Sequence, residues 1–198
     1  MHFLAGAAVS AVLAWGSFSG EVGSGVMKEE SRQVPAFHRV KVSQGVEAEV
    51  TQGGKPSVVV RGDDNLIKFV RTEVTDGTLV ISLATEEVHG IHTKERLKVT
   101  VTTPSIDGAE AQSGAGLELA NASGRKLDLR ATSGGAVNAK GLAASTLHVE
   151  ASGGGVVRLS GKAKELQLDC SGGAAVKAGE LAAESVHVEG SGGASVEV

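Results

Sequence analysis

The sequence is poor in cysteine, proline and aromatic residues, and each shortage narrows what the chain can be. A single cysteine, Cys170, excludes an intrachain disulfide framework and a metal site built from several cysteines. Tyrosine is absent, and residues 105–198 contain no aromatic side chain. Proline occurs only 3 times, whereas glycine occurs 28 times, roughly double its usual share. The glycines recur at fixed offsets, so the chain is not a low-complexity linker.

The chain also lacks a basic excess and a long hydrophobic run. Its net charge of −4 leaves no electrostatic footprint for nucleic acid. Residues 3–15 are apolar but too few to cross a bilayer, and the small residues Gly16, Ser17 and Ser19 follow. This pattern predicts a signal peptide over residues 1–19, although no Lys or Arg precedes the apolar run. The alternative is a buried core helix. The Gly/Ser/Glu-rich residues 20–36 are expected to be a flexible tether, and the mature form is expected to lack a transmembrane span.

A repeat of about 20 residues dominates the second half of the chain. Ser-Gly followed by Gly or Ala occurs five times, at spacings of 20, 19, 19 and 20 residues. A period of this length with strand-like segments between the glycines is typical of a β-solenoid. The glycines are expected at corners, where the backbone adopts angles that a Cβ disfavours. The predicted corner residues are Ser113, Gly114, Ser133, Gly134, Ser152, Gly153, Ser171, Gly172, Ser191 and Gly192.

Aligning the segment before each corner gives four rows, 127–131, 147–151, 166–170 and 186–190. Because side chains alternate across a strand, each row has inner and outer positions. One inner column contains Leu127, Leu147, Leu166 and Val186. With three faces of about six residues in each coil of 19–20 residues, the pattern predicts a right-handed parallel β-helix, with the repeats spanning 106–198.

The preceding residues, 37–105, contain short alternating runs that predict further strands. Between them the period changes, and the apolar residues Leu66, Ile67, Phe69 and Val70 have helical spacing. We therefore expect one short helix near 63–70, capped by Asp63 or its neighbour Asp64. Residues 37–198 are predicted to form one domain.

The ordered motifs resemble a known bacterial family, the putative autotransporter-adhesin head GIN domain. The matching features are Phe37–Val40 (F-x-x-V), the run VVVRGDDNLI at 58–67, DGTLVI at 76–81 and the Ser-Gly repeats. The resemblance covers residues 37–198. It implies an exported envelope or surface protein with a β-helical body, and it brings no catalytic motif.

Few residues suggest chemistry. Glu150, Asp169 and Glu189 are expected to stack outward on neighbouring coils, where they could form a solvated acidic edge, a weak cation site or a catalytic carboxylate face. His148 and His187 would lie two coils apart, roughly 10 Å, which is too far for shared zinc ligation. Cys170 falls in an inner column and is expected to be a buried, unreactive thiol. No cofactor is predicted.

The sequence therefore favours an exported, non-enzymatic structural or adhesive module of a bacterial cell envelope, in the periplasm, on the outer membrane or outside the cell. One alternative is an envelope enzyme that acts on polysaccharide through the outward carboxylates. Another is a self-assembling β-helix polymer. Expected partners are an envelope or surface component, or a second copy bound end to end, because basic residues gather near 125–140 and acidic ones near 165–197.

Overall fold

The structure, a computed structural model, describes residues 20–84, 86 and 90–198. This part of the chain is all-β. Its strands are β1 (Glu21–Val22), β2 (Met27–Ser31), β3 (Arg39–Val42), β4 (Glu47–Gln52), β5 (Ser57–Asp63), β6 (Val70–Thr75), β7 (Thr78–Leu83), β8 (Ile91–His92), β9 (Lys98–Thr103), β10 (Gly108–Gln112), β11 (Gly116–Ala120), β12 (Ser123–Thr132), β13 (Ala136–Ser152), β14 (Val156–Cys170), β15 (Ala175–Gly190) and β16 (Ser195–Glu197).

Fourteen of these strands form one curled sheet, and β1 and β8 form a separate parallel pair. The large sheet has two arms that meet on β13. The first arm runs β2-β5-β9-β4-β11 and joins the first half of β13. The second arm runs β6-β7-β3-β10-β12 and joins the second half of β13. Strands β14 and β15 continue both arms, while β16 pairs with the first part of β15.

Alternation along the strands places the core between the two arms. In β12 and β13, for example, Leu127, Leu129, Leu147 and Val149 are buried, while the residues between them are partly exposed. Side chains from both arms belong to a single hydrophobic cluster, which extends from Phe37 to the middle of β15. The burial of this continuous apolar surface is the main favourable contribution to folding.

The prediction of a right-handed parallel β-helix is wrong, and so are the solenoid coils that it implied. The sheet is a curled, open half-barrel with mixed pairing, because β2 with β5, β5 with β9, and β6 with β7 are antiparallel. A three-faced coil would break each repeat into three short strands. Instead, β13 and β14 are each one long strand, with only a local shift of register where a coil would turn from one face to the next. The sheet therefore bends at that point without ending.

Parallel pairing of neighbouring rows is confirmed within this sheet. Leu127 lies opposite Leu147, Leu147 opposite Leu166, and Leu166 opposite Val186. The first three side chains are buried as predicted. The expected burial of Val186 is wrong, since 46% of this residue is exposed. Among the described residues, β15 pairs with β14 along this row but has no partner there on its other side.

The predicted short helix near 63–70 is also wrong. A single 3₁₀ turn, Ile67–Phe69, replaces it, and its N-cap residue, Leu66, makes no side-chain capping bond. Asp63 instead ends β5 and is buried. Within residues 20–36, the expected tether, the structure places β1 and β2; the division of the chain into domains stays a prediction.

The predicted signal peptide, residues 1–19, lies outside the described residues. Across the part of the chain that is described, no helix has the length and apolar character needed to cross a membrane.

Candidate functional site: a charged outer face

The outward side of the second arm carries a ladder of charged side chains. Six neighbouring strands, β3, β10, β12, β13, β14 and β15, pair in parallel and in register. Each contributes one residue to the same outer column. We call this column the charged ladder; in spatial order it contains Lys41, Glu110, Arg130, Glu150, Asp169 and Glu189.

The first four members of the charged ladder alternate in sign and form two ion pairs. Lys41 Nζ lies 3.1 Å from Glu110 Oε1, and Arg130 Nη2 lies 2.7 Å from Glu150 Oε2. The last two members, Asp169 and Glu189, are both acidic. The ladder therefore has a neutralised half and an acidic half.

A second outer column, beside the ladder, is centred on Asp128. Its carboxylate accepts a hydrogen bond from Arg39 Nη2 at 3.2 Å, and its other oxygen lies 3.1 Å from Lys126 Nζ. His148 stands between two carboxylates, with Nδ1 at 3.8 Å from Asp128 Oδ1 and Nε2 at 2.8 Å from Asp169 Oδ2. The members of the two columns on β3, β10, β12 and β13 line a cleft of about 360 Å³.

Gly108 makes the contact between Arg39 and Asp128 possible. It lies directly between these two residues in the parallel register, Arg39–Gly108–Asp128. A Cβ at this position would stand 2.7 Å from Arg39 Nη2 and 2.9 Å from its Cζ. The absence of a side chain therefore lets the guanidinium cross a whole strand to reach the carboxylate.

The environment of Asp128 lowers the pKa of its carboxyl group. Burial by itself would raise the pKa of Asp128, but the hydrogen bonds and positive charges of Lys126 and Arg39 outweigh burial and hold this pKa below its ordinary value. These pairs consequently stabilise the fold in full above the unfolded-state pKa, near 4, and the contribution is lost as the pH falls through the lower folded-state pKa.

Asp128→Asn tests this linkage. At pH 7 the variant is expected to be less stable than the parent by about 1 kcal/mol, a typical value for a partly exposed ion pair. The difference should shrink as the pH is lowered from 4 towards 2. Urea unfolding at a series of pH values measures it, with Glu118→Gln on the other arm as the control. A difference that stays constant with pH would show that Asp128 acts through packing instead.

The three carboxylates that the sequence suggested do lie in one outer column on adjacent strands. Each faces a nitrogen: Glu150 faces Arg130, Asp169 faces His148, and Glu189 Oε1 is 3.3 Å from His187 Nε2. Among the residues that the structure describes, no group of three or more His, Cys, Asp or Glu side chains could hold a metal ion. A cation site at these carboxylates stays a prediction.

The alignment of the repeats did not indicate Arg39, which lies at the centre of this cleft. Arg39 precedes the repeats and meets Asp128 across 89 positions of the chain, and no local pattern marks that contact. Asp128 falls within the first row and Lys126 lies beside it. The alignment of the rows puts Asp128 in one outer column with His148, and the structure pairs these two residues.

The predicted corners lie beside one another in the structure. Neighbouring corners are joined by backbone hydrogen bonds, such as Gly134 N to Gly153 O at 3.0 Å, and Ser113 and Ser133 have positive φ.

Cys170 is buried and forms no disulfide. Burial raises the pKa of the Cys170 thiol, and the negative charge of Asp169 raises it further, so thiolate formation is disfavoured.

These features define an all-β domain with a curled mixed sheet and a charged outer face. The family model described as "Putative auto-transporter adhesin, head GIN domain" matches residues 36–198. The chain belongs to this family, as the motifs at 37–81 and the Ser-Gly repeats indicated. No functionally curated protein matches the chain.

Three solved structures show the same fold. A putative adhesin from Bacteroides fragilis has a TM-score of 0.80 at 24% identity, over 89% of this chain and 82% of that one. A putative adhesin from Parabacteroides merdae has a TM-score of 0.65 at 16% identity, over 89% and 82% of the two chains. A putative lipid binding protein from Parabacteroides distasonis has a TM-score of 0.64 at 14% identity, over 89% and 98%.

Proposed function

We propose that this chain is an exported, non-enzymatic adhesive module of a bacterial cell envelope. The observation that carries the proposal is the charged ladder, six side chains on six neighbouring strands in one outer column. Parallel strands lie about 4.8 Å apart, so the ladder presents charge at a regular spacing on a rigid support. Such a surface suits an extended or repetitive partner.

The acidic half of the ladder is the part that we assign to binding. Lys41 and Glu110 neutralise each other, as do Arg130 and Glu150. Within the part of the chain that the structure describes, Asp169 and Glu189 instead face histidine nitrogens. We therefore infer a surface component that carries regularly spaced positive groups. Because the side chains are exposed, the attraction should weaken as salt screens it.

Membership of an adhesin-named family supports this proposal, and two features of the site weigh against the polysaccharide enzyme. Glu150 is held in an ion pair with Arg130. The aromatic side chains within the described residues, Phe37 and Phe69, are both buried, which leaves no aromatic platform for a sugar ring on this part of the surface. End-to-end self-association also stays a prediction, and the exposed Val186 and Val188 of β15 are the surface that it would use.

Charge reversal tests the adhesive proposal. The full chain, immobilised on beads, is presented to bacterial envelope fractions and to cationic, neutral and acidic polymers, including poly-L-lysine and a deacetylated amino-sugar polymer. We expect retention on the cationic surfaces, and the double variant D169K/E189K should lower it at least tenfold at 0.15 M salt.

The matched control is the double variant E118K/E197K, which changes the charge equally in an outer column on the side of the first arm. It should retain binding. Equal loss in both double variants would reduce the effect to net charge and overturn the assignment of the acidic half to binding. Turnover of a glycan by the parent, abolished in a Glu150 and Asp169 double variant, would support the enzyme instead.

A further inference from the structure

A segment before the family domain pairs with the edge of the large sheet. We call residues 20–32 the strap; it contains β1 and β2 and lies outside the region 36–198 that the family model matches. Strand β2 covers the edge of β5 in antiparallel pairing, with Met27 opposite Asp63 and Ser31 opposite Val59. Without the strap, the backbone groups of this β5 edge would be unpaired.

The strap contributes almost nothing to the hydrophobic core. All three of its apolar residues are exposed: Val22 by 64%, Val26 by 59% and Met27 by 39%. Segments that bury little apolar surface open at low free-energy cost relative to the global fold. The strap is thus held by backbone pairing and polar contacts alone.

The polar contacts involve mainly the backbone of the strap, and one position of the strap, Gly23, admits no side chain. The buried carboxylate of Asp63 accepts a hydrogen bond from the backbone N–H of Gly25 at 2.6 Å, and Asn65 Nδ2 donates to the carbonyl of Val22 at 2.8 Å. Gly23 packs directly on Asp63, and a Cβ there would overlap the carboxylate. A strand that replaces the strap must therefore bring a residue without a side chain to this point.

The residues that follow the strap form a short linker, of which Val34 packs partly against the core. Residues 33–36 join it to the anchored Phe37 and border a cavity of about 340 Å³. All 3 prolines of the chain line this cavity, Pro35, Pro56 and Pro104. Pro35 favours an extended conformation for the residue before it, and four extended residues reach about 14 Å.

We propose that the strap exchanges between copies of this chain, so that the strap of one copy pairs with β5 of another. The occupant is a second copy because the strap carries what this site receives, a glycine against Asp63 and a serine hydroxyl that donates to Asp64. The same backbone pairing and polar contacts can form within one chain or between two chains, so the concentration and the hinge at 33–36 decide the balance. The result is a dimer or a chain of copies linked through strands.

A disulfide trap can detect the exchanged strand. Arg32 N donates to Val58 O and Asp64 N donates to Val26 O, which identifies 32/58 and 26/64 as hydrogen-bonded pairs. Such pairs alternate in an antiparallel ladder, so Glu29 and Arg61, which face each other, form a non-hydrogen-bonded pair. Their Cα atoms should be about 4.5 Å apart, which suits a disulfide.

The experiment uses the full chain with C170A, which removes the native thiol. E29C and R61C are made as separate single variants, mixed at high concentration and oxidised. Exchange predicts disulfide-linked heterodimers at a yield at least tenfold above that of E29C mixed with E118C, a control thiol on the first arm. The yield should rise with the time of mixing before oxidation.

The double variant E29C/R61C reports on the pairing itself. At low concentration it should close an intrachain disulfide and stay monomeric. If it closes but the mixed single variants give only the control yield, the strap does not exchange and the proposal is overturned. If it does not close, β2 does not pair with β5 in this register, and the proposal falls for that reason. Neither outcome bears on the charged ladder.

Discussion

Replacing Leu166 with alanine is expected to lower the free energy of unfolding by about 3 kcal/mol, within the range measured for buried leucines. Leu166 is 1% exposed and lies between Leu147 and Val186 in the inner column of the second arm. The truncation removes transfer free energy and leaves a cavity that the flanking strands, fixed by their backbone pairing, cannot close. For a domain of this size the melting temperature should fall by roughly 6–12 °C.

Val186→Ala is the matched control, because Val186 occupies the same column one strand further along. It is 46% exposed, so its truncation should cost less than about 1 kcal/mol. Urea and thermal unfolding of both variants measure the difference. Equal losses would contradict the structure, since they would mean that Val186 is as deeply packed as Leu166 in solution.

Gly161→Ala is expected to be at least as damaging, with a loss of roughly 3 kcal/mol or more and a fall in soluble yield. Gly161 has φ +128, a conformation that residues with a side chain rarely adopt. A Cβ at this position would also overlap the backbone nitrogen and oxygen of Leu142, its neighbour on β13. Backbone atoms in a paired strand cannot yield as a flexible side chain would.

The control for Gly161 is Gly154→Ala. Gly154 also has a positive φ, +77, but a Cβ there meets nothing within 4 Å. This variant should show only the cost of the left-handed conformation, about 1–2 kcal/mol. The excess loss in Gly161→Ala then measures the close approach of β14 to β13 at the bend. If the two variants lose the same free energy, the bend is not packed as the structure shows.

Gly161 explains why the repeat pattern led to the wrong fold class. The period of 19–20 residues correctly predicted which rows pair, and Leu147 and Leu166 are opposite each other as expected. The pattern could not show that the chain bends at Gly141 and Gly161, both with positive φ, without leaving the sheet. A corner between two strands and a bend within one strand look alike in sequence, because glycine is favoured at both.

The helix near 63–70 failed for a different reason. Leu66, Ile67, Phe69 and Val70 have helical spacing, yet all are buried in a 3₁₀ turn and the start of β6. Packing against the core satisfies these side chains in any conformation that points them inwards. Asp63, one of the two residues expected to cap the helix, accepts a hydrogen bond from the backbone N–H of Gly25 instead, and that contact joins residues 38 positions apart.

The candidate site was also predictable from the sequence only in part. The sequence placed Glu150, Asp169 and Glu189 in one outward column because residues one repeat apart share a register, and the structure has that column. Arg39 came from outside the repeats, and it reaches Asp128 only because Gly108 stands between them. The charge that lowers the pKa of Asp128 therefore comes in part from a residue that no period could indicate.

The sequence by itself determined the family, the pairing partners of the repeats and the alternation of buried and exposed side chains, since these depend on spacing along the chain. Only the tertiary structure decided that the sheet curls open, that antiparallel strands extend both arms, and that Arg39 and the strap come to their sites. Curvature arises from the sum of many small bends and from contacts between distant segments, and neither leaves a periodic trace in the order of the residues.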